Sequence, residues 1–134
     1  MKRTLISSGS PYEKPIGFSR AVRIGNTIAV AGTAPISEES GTACAGDVYG
    51  QTRRCLTIIQ MAVEAAGGGL EDIIRTRVML SDISRWEEAG RAHGDFFGEI
   101  RPACTFVEVS GFIDPAWLVE LEAVYGLLAV KKNQ

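Results

Sequence analysis

One stretch limits the fold of this chain more than any other. Residues 47–66 place Val48, Thr52, Cys55, Ile59, Ala62 and Ala66 at three-and-four spacing, with Leu56 and Val63 beside them. That period gives a helix with one buried face. Asp47 stands where a side-chain oxygen can cap the first turn, and Gly67-Gly68-Gly69 stops the helix with left-handed backbone at no steric cost. An apolar helix face has to be buried against something, and the flanking segments alternate with period two, as strands do.

Those segments have a definite order. Residues 4–7 read as a short strand, and a loop rich in Ser, Gly and Pro follows through Pro15. Residues 21–24 and 27–31 are β-rich and flank Gly25-Asn26, a two-residue hairpin turn. Residues 32–46 read as a long loop, 70–73 as a single helical turn and 75–80 as a strand. A second helix is expected from Ser84, with Ser84 as N-cap and Glu87 completing a capping box, running through Trp86, Ala89, Ala92, His93, Phe96 and Phe97 to Gly98. Two strands close the chain at 103–110 and 118–128. The order ββ–α–β–α–ββ predicts an α+β sandwich, with one mostly antiparallel sheet carrying two helices on one face.

With 134 residues and no linker, repeat or low-complexity tract, the sequence reads as one domain, 1–134. Hydrophobic residues make up 46% and charged residues 22%, the balance of a globular chain and not of a disordered one. The formal net charge is −2, and Lys131 and Lys132 are the only clustered basic pair near the tail. Nucleic acid is therefore not expected as a partner. No run approaches membrane-spanning length and no signal peptide is recognised at the N-terminus, so a cytoplasmic protein without a membrane partner is expected. Cys44, Cys55 and Cys104 form no CxxC pair, and with His93 as the single histidine they give no metal-ligand spacing. Free thiols, no metal and no cofactor are the expectation.

Strand parity selects the candidate functional groups. In 103–110, Cys104, Phe106 and Glu108 share one face and Thr105, Val107 and Val109 the other. In 118–128, Val119, Leu121 and Ala123 look like the face under the helices, which puts Glu120 on the opposite one. That carboxylate is either solvated or held in a cleft made with another subunit. Phe106 and Val124 are expected on a sheet face that no helix covers. Cys104 is open to three readings: a packed small hydrophobe, a working thiol, or a replacement for a residue that once did chemistry. The loop Ala31-Gly32-Thr33-Ala34-Pro35 could offer backbone N–H groups to a ligand, although its Gly and Pro are equally explained by a turn.

Six segments, taken in order, resemble the RidA family, also called YjgF. They are IGNTIAVAGTAPI, QTRRCLTIIQMAVEAAG, LEDIIRTRVMLSDIS, DFFGE, RPACTFVEV and LVELEAV. The resemblance implies a chorismate-mutase-like fold assembled as a homotrimer around a central barrel, with a small-molecule cleft at each subunit boundary. It also implies deamination of imines or enamines without a cofactor. In members with that activity an arginine after Pro-Ala clamps the substrate carboxylate, and that position here is Cys104. Glu120 matches the glutamate that holds the hydrolytic water. Phe18 stands in place of the usual tyrosine, Ala31-Gly32 in place of Ser-Gly, and Gly90 in place of an asparagine. The cleft expected from these matches is lined by Phe18, Ala31, Gly32, Thr33, Gly90, Cys104, Thr105 and Phe106, with Glu120 as catalytic base. The reading is a hydrolase acting by water attack on a small imine or enamine other than the standard 2-imino acids. A non-catalytic trimeric binding or regulatory module is the alternative, and an endoribonuclease comes last.

Overall fold

The computed structural model describes residues 2–127. The strands are β1 (Arg3–Ile6), β2 (Ala21–Ile24), β3 (Thr27–Thr33), β4 (Ile73–Leu80), β5 (Ala103–Glu108) and β6 (Val119–Gly126). The helices are α1 (Glu13–Ile16), α2 (Val48–Ala65) and α3 (Trp86–Phe97). All six strands join one sheet in the order β1-β2-β3-β6-β4-β5. Only β4 and β5 pair in parallel; every other pair is antiparallel. The α+β sandwich expected from the pattern is present. Leu128, the expected last residue of the final strand, lies outside the described residues, as do Lys131 and Lys132.

The α2 helix forms as its spacing requires. Val48, Cys55, Leu56, Ile59 and Val63 are buried and meet Ile28, Val30, Leu121, Ala123 and Tyr125 of the sheet in one core. Each Val, Leu or Ile among them contributes roughly 1.5–3 kcal/mol by leaving water. Asp47 caps the helix by accepting from Gly50 N–H at 3.1 Å. At the other end Arg23 donates from Nη1 to the Ala66 carbonyl at 2.7 Å, placing a cation on the negative end of the helix dipole. Gly67 is required there twice over: its φ is 92°, and a Cβ would stand 2.6 Å from Arg23 Nη1.

The start of α3 differs from expectation. Ser84 is not its N-cap. Asp82 instead accepts from both the backbone N–H and the hydroxyl of Ser84, which winds Ile83–Arg85 into a 3-10 turn ahead of the helix. The carboxylate wins because it is the stronger acceptor, and it captures the serine that would otherwise have capped. Arg85 then pairs with Glu88 at 2.9 Å across the first turn.

Both long helices pack on one face, over the alternating buried residues of β6: Val119, Leu121, Ala123 and Tyr125. Gln51 ties α2 to the approach of β6, with Nε2 donating to Ala116 O at 3.1 Å and Oε1 accepting from Leu118 N–H at 2.8 Å. Neither long helix covers the other face of the sheet, where α1 borders a groove at the β1–β2 end. Leu5 (59% exposed) and Ile24 (40%) lie at its β1–β2 end, and Ile74 (56%) lies beside the β4 bulge.

Candidate functional site

The register places the candidate residues in two groups. Glu120 pairs with Met79, and Glu122 pairs with Arg77, on the uncovered face. Thr105 pairs with Arg77 from the other side and shares that face. Cys104 pairs with Thr76, which in turn pairs with the buried Ala123. Cys104 therefore belongs to the helix side of the sheet, and Glu120 to the opposite side.

Phe106 corrects an expectation. It was expected beside Val124 on a face without helices, but its ring meets Trp86 edge-on at 5.9 Å and lies 6.4 Å from the His93 ring, both on α3. A Cβ at Gly90 would come within 3.9 Å of both Phe106 and Trp86, so the helix-side group is Gly90, Cys104 and Phe106 with Trp86 and His93. Cys104 itself is exposed. His93 Nε2 and Thr76 Oγ1 share a hydrogen bond at 2.8 Å, and burial pushes the imidazole below its ordinary pKa, which keeps it neutral.

Thr33 turns its side chain inward: it is fully buried and its hydroxyl donates to the Ala31 carbonyl at 2.8 Å, which leaves only its backbone for the contact expected of it. The cause is a bulge. Val30 pairs with Ala123 and Thr33 with Leu121, so Ala31 and Gly32 together face one residue of β6. The extra residue reverses the alternation and turns Thr33 inward.

That bulge builds the second group around Glu120. Gly32 sits so close that a Cβ would stand 3.4 Å from Glu120 Oε1. Arg20, just ahead of β2, donates from Nη2 to the Gly32 carbonyl at 2.6 Å. Glu120 is half-buried and accepts no hydrogen bond from any described residue. Burial raises its carboxyl pKa, the Arg20 charge lowers it and Glu122 raises it again, for a net upward shift. Glu122 is engaged elsewhere, in a partly exposed ion pair with Arg77 at 2.9 Å. Phe18 and Ala31 line a groove of about 600 Å³ on the same face, together with Leu5, Val22 and Lys14. A smaller hollow of about 300 Å³ lies over Ala29, Val124, Arg75 and Glu122. Glu120 lines neither of them.

The arrangement holds an ionisable carboxylate with free lone pairs next to a close-approach glycine and a guanidinium. It can bind a water and take a proton from it. Among the described residues no group of three His, Cys, Asp or Glu side chains is placed to hold a metal ion. No helix there is long and apolar enough to cross a membrane.

Sequence reasoning undervalued two members of these groups. Arg20 directly precedes an apolar strand and lies across from the small pair Ala31-Gly32; its signal was that juxtaposition, visible only once β2 and β3 are paired. Trp86 was read as a helix residue and is the partner of Phe106.

A family model described as endoribonuclease L-PSP matches residues 12–125. The crystal structure of a YjgF/YER057c/UK114 family protein from Mycobacterium tuberculosis superposes with a TM-score of 0.85 at 44% identity, covering 94% of this chain and 100% of that one. The chain belongs to the YjgF/RidA family. A RutC family protein of Pyrococcus horikoshii is 37% identical over 125 residues, which is 92% of this chain and 97% of that protein. At 29% identity over 124 residues, with 92% and 96% coverage, the chain is also similar to the 3-aminoacrylate deaminase RutC of Acinetobacter baylyi. Family membership thus extends along nearly the whole chain, and both residue groups fall inside the matched span.

Proposed function

We propose that this protein is a deaminase of small imines or enamines, active as a homotrimer, with each site completed by two subunits. Glu120 carries the reading. It is a half-buried carboxylate with raised pKa and no hydrogen-bond partner among the described residues, held beside Gly32 on the face that neither long helix covers. The name of the Acinetobacter relative, a 3-aminoacrylate deaminase, supports the same chemistry.

In the reaction, Glu120 accepts a proton from a bound water as the oxygen adds to the electrophilic C=N carbon. Glu120 passes that proton to the nitrogen, which gives the neutral carbinolamine. Its hydroxyl proton then moves by way of Glu120 to the nitrogen, the C–N bond breaks, ammonia leaves with the bonding pair, and the electrons left on oxygen close the carbonyl. Imine and water give carbonyl and ammonia, with no change of oxidation state and no cofactor.

Two subunits are invoked because Glu120, Gly32, Ala31 and Phe18 lie on one side of the sheet and Cys104, Phe106 and Gly90 on the other. A cleft using both sets takes one from each copy. The exposed apolar residues of the bare face, Leu5, Ile24 and Ile74 among them, supply a reason to associate.

Cys104 narrows the substrate. A thiol cannot form the paired, charge-assisted hydrogen bonds that an arginine gives a carboxylate, each worth about 1.5–3 kcal/mol. The standard 2-imino acids are accordingly poor substrates in this reading. The same exposed thiol favours the second reading, a trimer whose clefts bind a metabolite without turning it over. The endoribonuclease of the family description ranks last, since a chain of net charge −2 attracts a polyanion weakly. Turnover of imines and enamines generated in place, and its loss in Glu120→Gln, decides between the first reading and the second.

A further inference from the structure

We propose that Arg20 is the positioning residue of Glu120, a cation fixed at the Ala31–Gly32 bulge that keeps this carboxylate ionised and ready to accept a proton. The inference deepens the reading of Glu120 as the base and rests on it.

The geometry brings the two groups to one residue from two directions. Arg20 Nη2 reaches the Gly32 carbonyl at 2.6 Å, and Glu120 Oε1 would stand 3.4 Å from a Cβ at Gly32. The backbone of Arg20 is fixed as well, donating to Ile6 O at 2.8 Å and accepting from Ala31 N–H at 3.0 Å. A guanidinium has five N–H groups. Among the described residues the Gly32 carbonyl is its one side-chain acceptor, and Nε–H is buried without any. No carboxylate of the described residues lies within ion-pair distance of it. A partly buried cation is costly when its charge is left uncompensated. The carboxylate that offsets it here is Glu120, acting at longer range, with Glu13 adding a smaller share.

This separation matters for chemistry. A direct ion pair would occupy the lone pairs that Glu120 needs for water. A cation held off by its bond to Gly32 O stabilises the charge and leaves the oxygens free. The other groups acting on Glu120 and Arg20 work differently. Glu122 opposes ionisation but is paired with Arg77. Cys55, on α2 beneath, has its thiol pushed up by burial and remains neutral, with Arg54 acting on it in turn. Arg20 is the cation that acts on Glu120 itself.

The test is a carboxyl carbon-13 NMR titration of Glu120 in the intact protein, the signal assigned by its loss in Glu120→Gln. The comparison covers wild type, Arg20→Met, Arg20→Gln and Arg20→Lys. The titration midpoint is expected to rise in Arg20→Met and Arg20→Gln and to return toward wild type in Arg20→Lys. The acid limb of the kcat/KM profile should move to higher pH with it, so that at about pH 6 the neutral variants lose several-fold more activity than at about pH 8. Arg20→Gln keeps an N–H donor for Gly32 O and serves if Arg20→Met does not fold. A midpoint unchanged in Arg20→Gln, or raised equally in Arg20→Lys, would overturn the proposal and leave Arg20 as a staple of the bulge. Because the titration does not depend on turnover, an inactive protein or a fully active Glu120→Gln would count against the base reading alone.

Discussion

Cys104 and Glu120 lie on opposite faces of the same sheet. Cys104 is in register with Thr76 under α3, and Glu120 is in register with Met79 on the bare side. The proposed cleft therefore takes one of them from each of two copies of the chain. Mixed assemblies give the test. Glu120→Gln and a variant that fills the helix-side group, Gly90→Trp, should each be inactive alone. After denaturation and joint refolding they should regain measurable turnover, because some clefts then carry both intact halves. Failure to regain any turnover, with mixed trimers verified by mass, would count against a shared cleft.

The bare face makes assembly itself measurable. Sedimentation should give three times the 14.4 kDa of one chain at micromolar concentration. Ile24→Glu places a charge among Leu5 and other apolar groups of that face without entering the core. It should yield a folded monomer with native circular dichroism. A wild type that sediments as a monomer would remove the inter-subunit site.

Glutamate burial predicts a pH signature in stability. The folded-state pKa of Glu120 lies above its ordinary value, chiefly through burial. Protons are then held more tightly by the folded state. This group favours the fold below the unfolded pKa and loses that contribution as pH rises through the folded value. Glu120→Gln has no such loss. Its melting temperature should exceed wild type at about pH 7 and match it at about pH 4, near the ordinary glutamate pKa. A variant less stable than wild type at neutral pH would contradict the sign.

The two long helices and the hairpin were legible because their periods are local, whereas the short α1 fell where a loop was expected. The α2 face, the Asp47 cap and the Gly25-Asn26 turn depend on neighbours within a few positions, and all three are where the pattern put them. Parity in β6 was legible for the same reason, and it placed Glu120 opposite Val119 and Leu121 correctly. Parity in β5 said which residues share a face, not which face it is. That choice depends on α3 crossing over the β5 edge, a long-range event, so Phe106 was assigned to the wrong side. The inward turn of the Thr33 side chain was not legible either: one extra bulge residue reverses alternation, and nothing in Ala31-Gly32-Thr33 announces it.

Substituting Cys104 separates replacement from nucleophile. If the thiol merely occupies the vacated clamp, Cys104→Ser should keep activity within about an order of magnitude, whereas a covalent nucleophile would lose several orders. Cys104→Arg should lower KM for 2-imino acids, since Cys104 is exposed and a longer side chain has room to extend. Unchanged KM with a correctly folded variant would show that the cation cannot be restored from this position.

The most direct measurement is kcat/KM of Glu120→Gln on the best substrate from a screen of imines and enamines generated in place. Glutamine keeps the shape and some hydrogen bonding of Glu120 and removes its basicity. A loss of about 10²–10⁴-fold with an intact trimer is the expected result. Turnover equal to wild type, or no turnover of any imine or enamine by the native protein, would contradict the assignment and favour a binding scaffold.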